Sequence, residues 1–438
     1  MADAGEPELV QILTTDLVAV TRGRSVPVDA SSWREQGCGW VPVNLAFDPF
    51  DAIATPNPWG ALGDVRLRPA MATLTRVDAI PGRPPLHFVL ADITGLDGAP
   101  WACCPRDFLR RALADLERAG FSLVASFEHE FTRLNTGTPP APAFSLAAHR
   151  RAEPFLTDLF AALRRADAEP EMILPEYGAD QFEVTCAPTD ALAAADRAVI
   201  LRAVTREIAE ASGRAVSFCP KTRPDGIGNG VHIHFSLRDA AGLPVTYDPA
   251  RPGNLSEAAG AFVAGVVRHM PALCAFTVPS PVSYLRLVPH HWSAAYACAG
   301  ERNREAAVRI CPLPAGAADP ARGFNLEYRA ADATANPYLA LGVLVRAGLA
   351  GLREGLPQPP LVSVDPAEMT DAERTALGVA RLPGSLGAAL ASLAADGEVV
   401  SWFAADLLTA FRSVKSREIA QAEGLSPDAL CRRYSTVY

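Results

Sequence analysis

The chain has nine cysteines, an odd number, and no CxxC pair among them. A complete disulfide framework is therefore excluded, and the thiols are expected to be reduced, as in a cytoplasm. Adjacent Cys103 and Cys104 cannot close an ordinary disulfide within one domain and are expected to be structural. Positive charge is also short: 40 Lys and Arg against 49 Asp and Glu leave a formal net charge of −9. That balance argues against an unaided polyanion surface, so no nucleic-acid partner is expected. Any site for an anionic nucleotide must be built locally, from a few arginines, glycines and metal ions. Long apolar runs are missing too. No stretch approaches eighteen uninterrupted apolar residues, because Arg, Asp and Glu break the alanine-rich runs, and no membrane span is expected. The opening "MADAGEPELVQILTTDLVAV" lacks a basic segment followed by an apolar core, so a secretory leader is not expected and the protein reads as cytoplasmic.

What is present is bulk: 438 residues, 49% of them hydrophobic, enough for a large core and for two or more parts. Residues 8–100 alternate short apolar runs with Gly, Pro and Asp, which predicts a small β-rich unit. At "CCPRDFLRRALADLERAG" the period changes. Phe108, Leu109, Leu113 and Leu116 recur at helical spacing and Gly120 stops the run. A domain boundary follows, dividing the chain into residues 1–105 and 106–438. Beyond it, strand-like segments ("SLVASFEHEFTRL", "DQFEVTC", "AVSFCPK", "GVHIHFSL") are separated by helical ones. That pattern predicts an α+β domain holding one sheet. The end, from about 384, reads as helical.

Candidate chemistry sits on the strands. In "SFEHEF", Glu128 and Glu130 share one strand face while His129 points away. Two carboxylates side by side either lie on an exposed face or share a cation. "LPEYGADQFEVT" supplies Glu176 and Glu183 around a turn. "GIGNGVHIHFSL" places His232 and His234 on one face, as core residues or as ligands. Its glycines let the backbone come close to something. "FNLEYRAADATANPY" adds Glu327, Arg329 and Asp332. Carboxylates with an imidazole or two suit Mg²⁺ or Mn²⁺ better than a structural zinc, and such a site suggests phosphate chemistry. Arg286, Arg302, Arg304 and Arg309, in the same third of the chain, could grip carboxylates or phosphates.

Taken in order, "FEHEF", "EYGADQFEV", "FCPKTRPDGIGNGVHIHFSL", "YLRLVP", "NREAAVRI" and "EYRAADATANPYLA" resemble the glutamine synthetase family over nearly the whole chain. "GDVRLRPAMATL" and "FVLADITGLDGAPWACCPRDFLRRAL" resemble its small β-grasp domain. The resemblance implies an N-terminal β-grasp domain and a catalytic domain built on a curved antiparallel sheet. It implies ATP and two or three Mg²⁺ or Mn²⁺ ions, one held by Glu130, Glu176 and Glu183, another by Glu128, His232 and Glu327. His234 and Ser236 would face the nucleotide, and Gly228 would meet the amino-acid substrate. Arg286 and Arg329 would grip its carboxylates, while Arg304 and Arg309 would neutralise the moving phosphate. Glutamate would attack ATP to give a γ-glutamyl phosphate, which an amine converts to an amide. A homo-oligomer, a dodecamer of two stacked hexameric rings, is implied by resemblance alone.

The chain departs from this pattern on the ammonium side. Where the family carries a flap glutamate six residues after the "RL-x-P" arginine, this chain has Trp292. The "DGSS"-like stretch is missing, with Asp48 a partial substitute at best. Asn325 stands where an arginine is usual, and the adenylylation loop is absent. A tryptophan face suits a larger, partly apolar amine and could hold a cationic one, unless it simply packs the flap. His290 or His291 could supply the missing base. The expectation is an ATP-dependent γ-glutamyl-amine ligase. A ligase for a different carboxylic acid, a true glutamine synthetase, or a non-catalytic assembly protein that kept the fold remain the other readings.

Overall fold

The computed structural model describes residues 8–438 except 79, 81, 136 and 138–140; the first seven residues of the opening stretch lie outside them. Two sheets carry the chain. The small one comprises β1 (Leu9–Thr15), β2 (Thr21–Pro27), β3 (Cys38–Trp40), β4 (Val65–Pro69), β5 (Thr75–Val77) and β6 (Leu86–Thr94). Its order is β2-β1-β6-β4-β3, with β5 also on β6, and β1 runs parallel to β6 at its centre. The helix that follows, Pro105–Arg118, buries Phe108, Leu109 and Leu116 of the stripe its spacing predicts, together with Ala112, while Leu113 is partly buried. Gly120 closes it in a positive-φ conformation.

The large sheet has ten strands: β7 (Phe121–Leu134), β8 (Pro170–Pro175), β9 (Gln181–Cys186), β10 (Thr189–Asp190), β11 (Ala215–Ser217), β12 (Val231–Asp239), β13 (Tyr296–Glu301), β14 (Ala306–Ile310), β15 (Leu326–Tyr328) and β16 (Ala380–Arg381). Its order is β16-β13-β14-β15-β12-β7-β9-β8, with β10 and β11 also on β7. All pairs are antiparallel except β13 with β14, which run parallel, so the sheet is mixed rather than wholly antiparallel.

The central strand β7 sets the layers. Leu123, Ala125, Phe127, His129 and Phe131 are buried on one face, against the helices. Ser126, Glu128, Glu130 and Thr132 alternate onto the other face. Helices Ala191–Ala211, Glu257–Thr277 and Pro337–Glu354 contribute most of the covering core. Glu257–Thr277 is by length and composition apolar enough to cross a bilayer, but it lies mostly buried in this core. His129 illustrates the cost of the helix side: burial, with Arg202 nearby, pushes its imidazole down to about 3. The C-terminal third ends in helices Leu386–Ala395, Ala405–Ala422 and Pro427–Ser435, as its sequence predicts. All nine cysteines are free, Cys103 and Cys104 among them.

Candidate active site

Strand register assembles the acidic residues. His232 of β12 lies opposite Glu128 of β7, and Glu130 lies opposite Glu183 of β9. On the other side, β15 brings Glu327 beside His234, and β14 brings Arg309 beside Glu327. Glu176 joins from the turn between β8 and β9. These side chains line one cavity of about 610 Å³. It also takes in Gly228, Arg286, His290, His291, Trp292, Arg304 and Arg329. Of the residues proposed from the sequence, Ser236, Asp332, Arg302 and Asp48 do not line it.

Two groups within the cavity have ligand atoms all within 4.8 Å of one another: Glu128 with His232 and Glu327, and Glu130 with Glu183 and His232. The first is the triad expected from the sequence. The second keeps Glu130 and Glu183 but draws in His232, while Glu176 stands apart with Oε2 accepting from the Tyr177 N–H at 3.0 Å. His232 Nδ1 is 2.7 Å from Glu128 Oε1, and its Nε2 is buried with no hydrogen-bond partner. A buried, orphaned imidazole nitrogen among four carboxylates fits a divalent cation.

Electrostatics point the same way. Burial raises Glu183, helped by the charges on Glu128, Glu130 and Glu176, up to about 10. Burial and Glu130 raise Glu176 to about 7. Glu327 behaves oppositely. Burial opposes its charge, yet Arg329, His232 and His234 hold it at about 2. Burial likewise opposes the Glu128 carboxylate, but hydrogen bonds from His232 and His234 keep it well below its ordinary range. The site thus has one firmly anionic end and one end that keeps its protons until a cation arrives.

The arginines are anchored by contacts within the protein. Arg329 is buried and spends its donors on the protein: Nε to the Arg304 carbonyl at 2.9 Å, Nη2 to the Trp292 carbonyl at 2.9 Å, and Nη1 to Glu327. Through these contacts it braces the site. Arg309 Nη1 meets Glu327 at 2.7 Å. Arg286 is buried and donates to the Ala331 carbonyl at 3.1 Å. The glycines beside the histidines make room for it. A Cβ at Gly230 would lie 2.4 Å from Arg286 Nη2, and one at Gly228 would lie 2.8 Å from its Cγ. What the glycine turn approaches, in this chain, is an arginine.

At the mouth, His290 and Trp292 adopt positive φ. The Trp292 backbone is clamped, its N–H donating to Glu305 at 3.0 Å and its carbonyl accepting from Arg329. Its ring is half exposed and meets Tyr177 edge-on at 5.4 Å, and Tyr177 meets Phe144 at 5.0 Å. Trp292 therefore does not merely pack the flap. One face of its ring is already approached by a cation, Arg304, 5.8 Å from its centroid. Sequence reasoning missed Phe144 and Tyr177; Tyr177 adjoins Glu176, a signal that could have flagged it. His290 Nδ1 is 3.1 Å from Asp365, whereas His291 has no carboxylate partner among the described residues, and burial with Lys221 nearby lowers its imidazole from the usual value. Asn325 Oδ1 accepts from His234 Nδ1 at 2.9 Å while its amide donates to Gly323. The residue that replaces the usual arginine thus orients the cavity histidine. Asp48 is no substitute ammonium ligand: it is buried, accepting from the Phe50 and Ala52 N–H groups and from Arg417 and Gln421.

Residues 102–434 match the family model described as glutamine synthetase, catalytic domain, and residues 2–101 match that of the glutamine synthetase N-terminal domain. A gamma-glutamylpolyamine synthetase of Streptomyces coelicolor is 36% identical, over 98% of this chain and 93% of its own. A glutamine synthetase of Thermococcus kodakarensis is 35% identical over 68% of this chain and 67% of its own. A solved structure titled as a novel glutamine synthase homolog superposes with a TM-score of 0.92 at 44% identity, covering all of both chains.

Proposed function

The chain belongs to the glutamine synthetase family and is a ligase of the glutamate–amine type; from that premise we propose that its nucleophile is an organic amine rather than ammonium. The observation that carries this is Trp292 with its ring in the cavity, where an ammonium site would need negative charge and a base. The relative named for polyamines supports the same direction.

Residues 106–438 would carry the chemistry, with glutamate activated by ATP as a γ-glutamyl phosphate. Glu128, His232 and Glu327 would hold one Mg²⁺ or Mn²⁺, and Glu130 and Glu183, with Glu176 in reach, another. Such ions, when bound, neutralise charge on the phosphates and orient them for transfer. Arg309 would neutralise the phosphate from beside Glu327, Arg304 would reach it from the mouth beside Trp292, and Arg286, packed beneath Gly228, would border the acid. His234 is held by Asn325 with Nε2 toward Glu128 at 3.5 Å. His291 would take the proton from the attacking amine. A ring-shaped homo-oligomer, a dodecamer of two stacked hexamers, is proposed from family membership. The test is phosphate release with glutamate, ATP and Mn²⁺ across ammonium and organic amines. Efficient turnover with ammonium alone would overturn the proposal, and an acid panel at fixed amine separates glutamate from other acids.

A further inference from the structure

The cavity has a second character at its mouth. Phe144, Met172, Tyr177, Ile227 and Trp292 line it, and each is about half exposed to solvent. Large apolar side chains gathered around one opening signal a surface waiting for an apolar ligand. They come from four separate parts of the chain: the segment before helix Leu146–Arg165, strand β8 with its turn, the glycine turn, and the flap. Phe144, Tyr177 and Trp292 join edge-to-face into a continuous wall running outward from Glu176.

Charge at this end is neutral or positive. Beyond the five glutamates of the floor, the ionisable groups lining the cavity are histidines and arginines, with Arg304, His290 and His291 at the mouth. Two of the nearby carboxylates are already engaged, Glu305 through one oxygen with the Trp292 N–H and Asp365 with His290, while Asp225 beside the glycine turn is exposed to solvent. One face of the Trp292 ring already has Arg304 over it, 5.8 Å from the centroid. Among the cavity-lining residues, a second positive charge on the substrate would meet Arg304, His290 and His291 at the mouth rather than a carboxylate.

We propose that the acceptor is a monoamine with an alkyl or aryl tail, and that Phe144, Ile227, Tyr177 and Trp292 select it by covering that tail. This rests on the organic-amine reading and narrows it away from polyamines.

The experiment uses the full chain with glutamate, ATP and Mn²⁺, and a series from methylamine to hexylamine beside phenethylamine, 1,4-diaminobutane, spermidine and ammonium. Expected is a kcat/KM that rises about threefold per methylene along the alkyl series. Butylamine should exceed 1,4-diaminobutane by roughly tenfold or more, since the extra ammonium is left unpaired. Phe144→Ala and Ile227→Ala should lower the hexylamine-to-methylamine ratio, and Phe144→Leu should recover part of it. Turnover with organic amines that is flat in chain length, or that favours the diamine and spermidine, overturns this inference and leaves the organic-amine reading standing. Turnover with ammonium alone, or with no amine, overturns both.

Discussion

Arg329 donates to the carbonyl of Trp292 at 2.9 Å, so the flap hangs from the same guanidinium that neutralises Glu327. The two residues lie far apart in sequence, yet the cavity mouth and its anionic floor share one cation. Arg329→Met should leave a buried carboxylate short of a partner and cost about 3 kcal/mol of stability. It should also raise KM for the amine by freeing the flap. Urea denaturation and steady-state kinetics check the two effects, and a loss below about 1 kcal/mol, the level of an exposed pair, would contradict the bracing role.

The opposed carboxylates predict an unusual pH dependence. Glu176 and Glu183 keep protons in the folded chain up to about 7 and about 10, against an ordinary 4.5. Between 4.5 and those values the folded state therefore binds more protons than the unfolded state, and metal-free stability falls as pH rises. Bound Mn²⁺ requires the ionised forms, so its uptake releases protons and its affinity rises from about pH 6 to 8. Thermal melts with and without EDTA across pH, with calorimetry in buffers of different ionisation enthalpy, read both trends. A stability gain from Mn²⁺ that ignores pH would contradict the assignment. His232→Ala, which removes a member of both groupings, should weaken Mn²⁺ binding by roughly a hundredfold or more.

Trp292→Glu should return negative charge to the flap at a backbone position already held by Glu305 and Arg329. The ratio of ammonium to butylamine kcat/KM should rise by about tenfold, the effect of one nearby charge on a cation. An unchanged ratio would mean that the ring does not face the acceptor.

The two flap histidines should separate. His290 is tied to Asp365, while His291 has its imidazole lowered and so is neutral at physiological pH. His291→Gln should reduce kcat by about a hundredfold, typical of losing a general base, and His290→Gln by much less. In the parent enzyme the acid limb of the kcat profile should lie below about 6.5, because the base must be unprotonated to act. Equal losses from both substitutions would discard the distinction.

Much of this site was legible in the sequence because strand periodicity is a strong constraint. Spacing alone put Glu128 with Glu130 and turned His129 away, and both hold in β7. The ordered motifs then gathered residues from β7 to β15 into one cavity. What spacing could not give was partnership across the chain. Nothing local in "GIGNG" says that its glycines accommodate Arg286, nor that Arg329 is committed to Glu327 and two backbone carbonyls. Asn325 read as a loss, and only its 2.9 Å hydrogen bond shows it orienting His234. Phe144 was invisible for the same reason: it lies in a segment without period, and its meaning comes from Tyr177 and Trp292 beside it.

The alternation of β7 carries a further consequence for how this chain can change. One strand displays Phe127, His129 and Phe131 to the helices, and Glu128 and Glu130 to the cavity. A single residue inserted upstream of Glu128 that shifts the register by one would exchange the two sets at once. Carboxylates would enter the apolar core while a phenylalanine replaced a metal ligand, so foldability and catalysis would fail together. Substitution can retune this strand side chain by side chain, but length variation is closed to it. Innovation in acceptor choice is left to the segments outside the ladder, where Phe144, Ile227 and Trp292 already reside.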